Sequence, residues 1–374
     1  MKRTIIVIFK AVLGAVFAVM KVFCRQRPKR VVFLSRQSNE PQLDFLMLAE
    51  ELQRRDPQVE CVYVCCRSDK GTRELLRYAG AFFKSMRYLA SSRVAVLNSY
   101  WPAVSMLKQR DNLYVIQIWH ALGKIKQSGW QTLGKDMGHS RAVAELMGMH
   151  RGYDVVIAGA KAWNPYYCAS FGITEDKLRN VGLPRLDYLK TRGPAVRERF
   201  YQAYPELKDE RIVMYAPTFR PGVKEGAERL FEVLADGKHG TVVFKRHPNQ
   251  PIAVDNPHLL EAPDFTSLDL LLVCDYVITD YSAIAVEAAS VPVPVFYYCF
   301  DIDEYAAHNG FNVSPVTTMP HCVYKDPQAL VQALDEPYPA EEVEQYRAKY
   351  VLPDKDMGKS TQRIVDMIEG ALSS

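Results

Sequence analysis

The stretch DYVITDYSAIAVEAASVPVPVFYY (275–298) decides the fold, because two strand-like apolar runs in it flank a segment of helix length. The runs DYVITD (275–280) and VPVPVFYY (291–298) are rich in Val, Ile, Tyr and Phe, which favour strands. Residues 282–290 between them are apolar and predict a helix. A strand, a helix and a second strand in this order predict a βαβ unit in a parallel sheet.

The same alternation extends outward through the chain in two series. The earlier series has the strand-like runs VVFLS (31–35), VECVYVCC (59–66), VAVLNS (94–99), YVIQIW (114–119) and DVVIAG (154–159), with predicted helices at 41–55 and 71–80. The later series adds RIVMYAP (211–217) and GTVVFKRH (240–247), with helices at 226–236 and 327–335. The two series predict an α/β protein with two Rossmann-like domains, 31–200 and 201–374, after an N-terminal segment of residues 1–30.

The charge of the chain is unevenly distributed. Residues 1–30 carry eight of the 47 Lys and Arg residues and none of the 43 Asp and Glu residues. The rest of the chain is therefore net negative, which argues against nucleic acid as a partner, because such proteins place excess positive charge on the folded body. We predict no nucleic-acid binding.

The N-terminal basic cluster accompanies an apolar segment, TIIVIFKAVLGAVFAVMKVF (4–23), which is long enough to cross a bilayer. A spanning helix would place Lys10 in or near the hydrocarbon, whereas an interfacial helix would turn its basic residues toward anionic headgroups. A cleavable signal peptide is disfavoured, since no A-x-A-like site follows. We predict a helix that contacts an anionic membrane surface, and the sequence leaves spanning and surface-lying arrangements open.

The eight cysteines show no C-x-x-C pair and no metal-ligand spacing. They indicate a reducing compartment without a disulfide framework. Cys61, Cys65 and Cys66 lie in a strand-like run and are expected to be buried. We predict neither a metal site nor a cofactor.

Polar motifs follow the predicted strands at their carboxyl ends, where ligands bind in open parallel sheets. In IWHALGK (118–124), His120 is placed to act as a general base, although a histidine hydrogen-bonded at a loop start fits this segment better when it is taken alone. In VVFKRHPN (242–249), the side chains of Lys245, Arg246 and His247 suit an anionic diphosphate, and a solvated strand end is the alternative.

The motif VITDYSAIAVEAA (277–289) delivers Asp280 and then Ser282 at the start of a helix. Ser282 can cap that helix and take part in an anion site, and Glu287, five residues on, could reach a ribose hydroxyl. An ordinary serine-capped helix is the alternative. NVGLPRLDYL (180–189) and MYAPTFRPG (214–222) each pair a proline-bounded turn with an arginine, Arg185 or Arg220, suited to phosphate or to a structural role at a hinge.

These five strand ends together predict a phosphorylated or nucleotide ligand. The chain has neither a Walker A sequence nor G-x-G-x-x-G, so neither an NTPase nor an NAD enzyme is supported.

The order of the motifs resembles the CDP-glycerol glycerophosphotransferase family, whose members build teichoic-acid-type polyol phosphate chains. The resemblance covers roughly residues 90–365 and rests on WHALGK, GLPRLD, YAPTFR, KRHP, TDYSA with Glu287, and FYYCFDIDEY. It implies a GT-B-like fold, with an N-terminal acceptor domain and a C-terminal nucleotide-donor domain. Ala121, Thr279 and Ala283 stand where the family pattern more often has Gly, Ser and Ser.

The resemblance also implies roles for individual residues. His120 and His247 would be catalytic, His120 as the base that deprotonates the acceptor hydroxyl and His247 as a contact of the donor diphosphate. Donor binding would fall to Arg185, Pro217, Thr218, Lys245, Arg246, Asp280, Ser282 and Glu287.

From these residues we expect a transferase at the cytoplasmic face of the bacterial cell membrane. It would move a polyol phosphate, first of all glycerol phosphate from CDP-glycerol, to a lipid-linked saccharide or polyol phosphate, and the chain's length favours single addition. A sugar-nucleotide-dependent GT-B glycosyltransferase and an inactive membrane-tethered binding protein remain the alternatives.

Overall fold

A computed structural model describes residues 2–67, 71–135, 138, 140–218, 225–245 and 259–374. Contacts between residues divide the chain into two compact units. The first unit comprises Met1–His120, Gln127–Pro184 and Lys359–Ser374, and the second comprises Ala121–Lys126 and Arg185–Gly358. The predicted domains 1–30, 31–200 and 201–374 stay predictions. The units defined by contacts differ from them in that Ala121–Lys126 belongs to the second unit and Lys359–Ser374 to the first.

The first unit is built on a parallel sheet with the strand order β2-β1-β3-β4-β5-β6. Its strands are β1 (Arg30–Ser35), β2 (Glu60–Cys65), β3 (Val94–Leu97), β4 (Tyr114–Gln117), β5 (Val155–Ala158) and β6 (Leu178–Asn180). Residues 31–34 of β1 are fully buried. Parallel strands are covered on both faces, which explains why their sequences are continuous apolar runs.

The second unit is built on another parallel sheet, with the order β12-β11-β10-β7-β8-β9. Its strands are β7 (Ile212–Tyr215), β8 (Thr241–Phe244), β9 (Leu259–Leu260), β10 (Tyr276–Thr279), β11 (Val295–Tyr298) and β12 (Val323–Tyr324). Phe231, Phe244 and Phe296 belong to the core beside these strands. The predicted fold class, an α/β protein with two Rossmann-like halves, is confirmed by these two sheets.

Helices connect the strands in both units. In chain order they are α1 (Lys2–Phe23), α2 (Leu43–Arg55), α3 (Thr72–Ser91), α4 (Pro102–Met106), α5 (Arg141–Leu146), α6 (Asn164–Phe171), α7 (Pro184–Thr191), α8 (Gly193–Ala203), α9 (Glu225–Leu234), α10 (Ser267–Leu271), α11 (Ile284–Ser290), α12 (Ile302–His308), α13 (Pro315–Thr318), α14 (Pro327–Ala333), α15 (Ala340–Tyr350) and α16 (Ser360–Ser373). The helix predicted at 71–80 is longer than expected, since α3 continues to Ser91.

The N-terminal helix α1 has two distinct faces. Leu13 and Phe17 are buried against the first unit, where α1 packs on α3 and α5. Two of its lysines are bound to that unit, since Lys10 Nζ donates to the Leu146 carbonyl at 3.0 Å and Lys21 Nζ to the Lys108 carbonyl at 2.8 Å. The opposite face exposes large apolar side chains: Val7, Ile8, Phe9, Val12, Val16, Val19, Val22 and Phe23. By length and composition, Ile6–Phe23 is a candidate membrane span.

The cysteine prediction was partly wrong. The eight cysteines, which all lie in the described ranges, form no disulfide there, but Cys61 and Cys65 of β2 are only partly buried, while Cys66 is buried as expected. β2 lies at the edge of its sheet, so fewer elements cover its side chains.

Candidate functional sites in the two units

His120 lies in the first unit just beyond the carboxyl end of β4. Its Nδ1 lies 2.9 Å from the carbonyl oxygen of Asn98, which follows the neighbouring strand β3. A carbonyl oxygen only accepts hydrogen bonds, so Nδ1 carries the proton in the neutral ring. The basic lone pair therefore lies on Nε2, and the ring is in the tautomer that a general base needs.

The backbone that presents His120 is strained. Trp119, the preceding residue, has φ 60°, in the left-handed region that residues other than glycine rarely adopt. Such a conformation costs about 1–3 kcal/mol and persists where the surrounding structure determines it. The Trp119 ring lies against the imidazole of His120, with centroids 4.1 Å apart. The turn therefore fixes both the position and the orientation of the imidazole.

Gln117, the last residue of β4, holds this turn in place. Its Oε1 accepts the N–H of Trp119 at 2.9 Å, and its Nε2 donates to the Ser99 carbonyl at 3.1 Å. The side chain is fully buried. Sequence reasoning missed Gln117, although a single polar residue inside the apolar run YVIQIW was an available signal.

A second histidine, His150, lies close to the Trp119 ring, with centroids 6.1 Å apart. His150 is buried and has φ 61°, and its Nδ1 lies 3.0 Å from the hydroxyl of Tyr153. Its ring packs on Phe171, with centroids 4.5 Å apart, and Phe171 in turn packs on Trp119. This cluster supports the Trp119 ring from the side of the first unit's core, and it was not predicted.

Lys124, four residues after His120, belongs to the second unit and is buried there. Burial holds the pKa of its ammonium well below the usual value. The backbone around it is held by Asn312, whose Nδ2 donates to the Lys124 carbonyl at 2.9 Å and to the Lys126 carbonyl at 3.2 Å. The Gly-Lys loop of the WHALGK motif is thus an ordered part of the second unit.

In the second unit, Asp280 joins two loops that follow the adjacent strands β7 and β10. Its carboxylate accepts the N–H of Thr218 at 3.0 and 2.9 Å and the Thr218 hydroxyl at 2.6 Å. Thr279 Oγ1 donates to the Ala216 carbonyl at 2.8 Å, beside this link. The predicted donor residues Pro217, Thr218 and Asp280 are therefore brought together at one edge of the sheet.

Arg185 and Glu287 form an ion pair inside the second unit. Arg185 Nη1 lies 2.9 Å from Glu287 Oε1, with the side chains 14% and 3% exposed. Removing one member of such a pair leaves a buried charge without its partner, which is costly. The structure thus brings together two residues that were predicted separately as a phosphate contact and a ribose contact.

The loop before α11 differs from the prediction in one respect. Ser282 was expected to cap the helix, but α11 begins at Ile284 with Ala283 at the N-cap position. The Ser282 Oγ accepts the N–H of Ile284 at 3.4 Å, a long contact. The hydroxyl of Ser282 is thus only weakly engaged by the helix, and the helix itself has seven residues.

Tyr281, between Asp280 and Ser282, anchors this loop. It is fully buried, and its hydroxyl donates to Asp301 Oδ1 at 3.0 Å. Its ring stacks on Tyr305, with centroids 4.4 Å apart. Asp301 and Tyr305 belong to the FDIDEY segment, which contributed to the family resemblance. The sequence analysis assigned no role to either residue, and the structure shows that both contact Tyr281.

The strand end after β8 is only partly described. Lys245 Nζ donates to the Phe265 carbonyl, and burial lowers the pKa of this ammonium. Arg246 and His247, predicted to contact the diphosphate, lie outside the described residues, as does Arg220. Within the described ranges, no group of three His, Cys, Asp or Glu side chains is placed to hold a metal ion.

The two parallel sheets define an α/β protein of the GT-B-like class. A family model described as CDP-Glycerol:Poly(glycerophosphate) glycerophosphotransferase matches residues 16–370. The chain belongs to this family, which confirms the resemblance based on the motifs. The match also extends further toward the N-terminus than those motifs.

Relatives with assigned activities belong to teichoic acid synthesis. The chain is 28% identical to the teichoic acid ribitol-phosphate primase of Bacillus spizizenii, covering 100% of this chain and 99% of that protein. It is 24% identical to the teichoic acid glycerol-phosphate primase of Bacillus subtilis, over 78% of this chain and 77% of the relative. The chain is therefore a transferase of the teichoic acid polyol-phosphate type.

Solved structures support the fold. The wall teichoic acid polymerase TagF matches with a TM-score of 0.76 at 19% identity, covering 100% of this chain and 97% of that chain. A UDP-N-acetylglucosamine 2-epimerase of Listeria monocytogenes matches with a TM-score of 0.57 at 14% identity, over 91% of this chain and 96% of the epimerase chain. The GT-B-like fold class predicted from the sequence is confirmed.

Proposed function

We propose that this protein transfers a polyol phosphate from a CDP-polyol to a hydroxyl group of a membrane-lipid-linked acceptor and releases CMP. The observation that carries the proposal is the hydrogen bond from His120 Nδ1 to the Asn98 carbonyl, which leaves Nε2 as the basic nitrogen. A family that moves polyol phosphates needs such a base, because the acceptor hydroxyl is a poor nucleophile until its proton is removed.

In the proposed reaction, Nε2 of His120 takes the proton of the acceptor hydroxyl as its oxygen attacks the β-phosphorus of the donor. The bond between the β-phosphorus and the bridging oxygen breaks, and that oxygen keeps the electron pair and leaves as part of CMP. The new bond joins the acceptor oxygen to the polyol phosphate. Catalysis then depends on positioning and on stabilising charge at the transferring group.

The second unit would bind the donor. Arg185 has further N–H groups beside the one that meets Glu287, and a guanidinium suits phosphate. Ser282 would offer its hydroxyl, and Pro217 and Thr218 would line the same edge of the sheet. Asp280 and Glu287 are themselves anionic, so we assign them positioning roles: Asp280 holds Thr218, and Glu287 holds Arg185. His247, Arg246 and Lys245 keep their predicted role at the diphosphate.

The donor is proposed to be CDP-glycerol, in line with the family description. CDP-ribitol is the second candidate, favoured by the end-to-end similarity to a ribitol-phosphate primase. Glycerol phosphate and ribitol phosphate differ only in the length of the polyol, so the same base and the same diphosphate contacts serve both.

The exposed face of α1 supports a place at the cytoplasmic face of the cell membrane. Lys10 and Lys21 are bonded to the first unit, which favours a helix lying on the surface over one that spans the bilayer. The exposed apolar side chains would then enter the lipid interface. Arg27, Lys29 and Arg30 of the predicted basic cluster are instead paired with carboxylates of the first unit, so the predicted contact of this cluster with anionic headgroups is not supported for them.

The test is nucleotide release by purified protein given CDP-glycerol, CDP-ribitol or sugar nucleotides, with and without bacterial membrane lipid extract. We expect CMP release from a CDP-polyol that depends on the extract. UDP release from a sugar nucleotide would instead identify a glycosyltransferase, and no release from any donor would favour an inactive binding protein.

Two variants separate the role of the base from that of folding. His120→Ala should lower turnover by about 10²–10⁴-fold while the donor still binds. His321→Ala is the matched control, since His321 is 79% exposed and pairs with Glu342 at the surface. Equal loss of donor binding and turnover in His120→Ala would show that the histidine is structural.

A further inference from the structure

We propose that a cavity beside β2 and α3 binds the saccharide part of the acceptor. The cavity has a volume of about 450 Å³ and lies wholly in the first unit. Its lining includes Asn39, Glu40, Tyr63, Cys65 and Lys84. This inference rests on the proposed transfer to a lipid-linked acceptor and assigns a binding place to that acceptor.

The lining has the chemistry that sugar hydroxyls require. Tyr63 is half-buried and stacked on Phe33, with centroids 5.3 Å apart, so it is a fixed aromatic side chain with a polar tip. Asn39 accepts the N–H of Arg67 with its Oδ1 at 2.9 Å, which orients its amide group and directs the NH₂ as a donor. Glu40 adds an acceptor and Lys84 a donor to the same lining.

The mixed charge of the lining argues for a neutral sugar ring over a lone phosphate. Burial raises the pKa of the Cys65 thiol to about 11, the charge of Glu40 raises it further and the charge of Lys84 lowers it, so both charges lie near enough to the thiol to act on it. A phosphate at this place would meet the Glu40 carboxylate as well as the Lys84 ammonium. A saccharide can accept from one and donate to the other without a net charge.

The register of the sheet fixes how far this cavity lies from the base. Val64 pairs with Leu34, Leu34 with Leu97, and Leu97 with Gln117, so these residues form one row across four strands. Adjacent strands lie about 4.8 Å apart, which places the wall of the cavity roughly 14 Å from the end of β4. Both lie at the carboxyl edge of the sheet, and a short saccharide bound in the cavity spans that distance toward His120.

Hydrogen bonds connect the wall of the cavity to the histidine. The loop that supplies Asn39 and Glu40 ends at Gln42, whose Oε1 accepts from Asn98 Nδ2 at 2.6 Å. The carbonyl oxygen of the same Asn98 accepts from His120. Asn98, just after β3, is therefore hydrogen-bonded both to the loop at the cavity and to His120, and it helps to fix the position of each.

The helix that lines the cavity also packs against α1, the helix proposed to contact lipid. α3 supplies Ala81 and Lys84 to the cavity and packs against α1. The same helix exposes Leu75, Leu76 and Phe83. An amphiphile suits this arrangement, with its lipid part at the apolar side chains and its sugar part in the cavity.

The experiment compares the variants Tyr63→Leu and Lys84→Glu with the control Arg87→Glu. Arg87 is an exposed cation on α3 outside the cavity, so it reports on charge reversal alone. With membrane lipid extract as acceptor and the CDP-polyol that the wild type uses, CMP release is measured against each substrate. We expect the KM for the extract to rise about tenfold or more in both cavity variants, the equivalent of losing one good polar contact. The KM for the donor and the melting temperature should stay at wild-type values.

A binding measurement separates this inference from the proposed function. The saccharides released from the extract by mild acid hydrolysis serve as a soluble probe in saturation-transfer NMR. Signals with the wild type and with Arg87→Glu that vanish in both cavity variants support the cavity even if no donor is turned over. Unchanged extract KM in the cavity variants, or probe signals that persist in them, would overturn it while leaving the transferase proposal intact.

Discussion

At the scale of single residues, the carbonyl oxygen of Asn98 decides which nitrogen of His120 is basic, and Gln117 decides where that nitrogen lies. Gln117 uses both ends of its amide, one on the N–H of Trp119 and one on the carbonyl of Ser99. It lies buried in the first unit, so its effect on catalysis is through the turn it holds.

We therefore expect graded losses when Gln117 is changed. Gln117→Met keeps the shape and removes both hydrogen bonds, and turnover should fall about 10-fold to 100-fold, because the strained Trp119 turn can relax and misplace the base. Gln117→Glu keeps an acceptor for the Trp119 N–H but buries a carboxyl group against the Ser99 carbonyl, which costs more than an apolar side chain, and should lose more activity. Steady-state kinetics are the measurement, and a donor KM that changes with kcat would point to a general folding defect.

The pair of Arg185 and Glu287 allows stability and donor binding to be separated. Arg185→Met leaves the Glu287 carboxylate buried without its guanidinium, which should destabilise the second unit by about 3–5 kcal/mol. The double variant Arg185→Met with Glu287→Leu should recover most of that stability. Urea unfolding measures the stability of each variant, and calorimetric titration with the CDP-polyol measures its affinity for the donor.

Donor affinity should stay weak in the double variant, because it lacks the guanidinium that we propose as a phosphate contact. If the double variant regains both stability and affinity, Arg185 is purely structural.

At the scale of elements, the strands were predictable wherever they are buried on both faces, as in RVVFLS, since burial leaves a continuous apolar run in the sequence. β6, β9 and β12 were not predicted, because two or three residues at the side of a sheet leave no periodic pattern. The helix α11 begins at Ile284, later than the predicted start at Ser282. Ser282 has a side chain suited to a cap, but the backbone conformation that decides the cap depends on the buried Tyr281 beside it. Spatial pairings such as Asp280 with Thr218 could not be read from residues 62 positions apart.

The link between the β7 and β10 loops gives a prediction at this scale. Thr218→Val removes the hydroxyl that donates to Asp280 at 2.6 Å and keeps the backbone N–H that also donates to it. The loss of a hydrogen bond to a buried carboxylate should cost about 1.5–3 kcal/mol of stability. The KM for the donor should rise, since the loop that lines the proposed donor site loosens. Thr218→Ser is the control, and it should behave as the wild type in both assays.

The two faces of α1 should respond differently to substitution. Val12→Glu and Val19→Glu place charges on the exposed face, and we expect them to weaken sedimentation with anionic lipid vesicles without lowering the melting temperature. Phe17→Ala opens space on the buried face and should lower the melting temperature. Vesicle binding that is unaffected by both charged variants would count against α1 as the membrane-contacting element.

At the scale of the whole molecule, the first unit is assembled from distant parts of the chain. α16 packs on α2, where Arg55 Nη1 lies 2.6 Å from Asp366 and 2.8 Å from Glu369. Ile364, Val365 and Ile368 of α16 are fully buried. The core of the first unit is therefore incomplete without the last helix.

A fragment test follows from this arrangement. Residues 1–184 alone should fail to melt cooperatively, because removing α16 uncovers the apolar surface that it buries on α2. Joining residues 359–374 to that fragment through a flexible linker should restore a cooperative transition in thermal circular dichroism. A cooperative melt of the shorter fragment at the same temperature would mean that α16 is dispensable for the core.

Because α16 follows the second unit in sequence, it also determines when the first unit can be completed during synthesis. The ribosome makes this helix after every described strand and helix of the second unit, so the core of the first unit stays incomplete until the second unit has been made. A prematurely terminated product therefore lacks a complete first unit however much of the second it contains. A chain whose first unit is complete has therefore also made the whole second unit, so the proposed base and the proposed donor-binding residues are present together in every finished molecule.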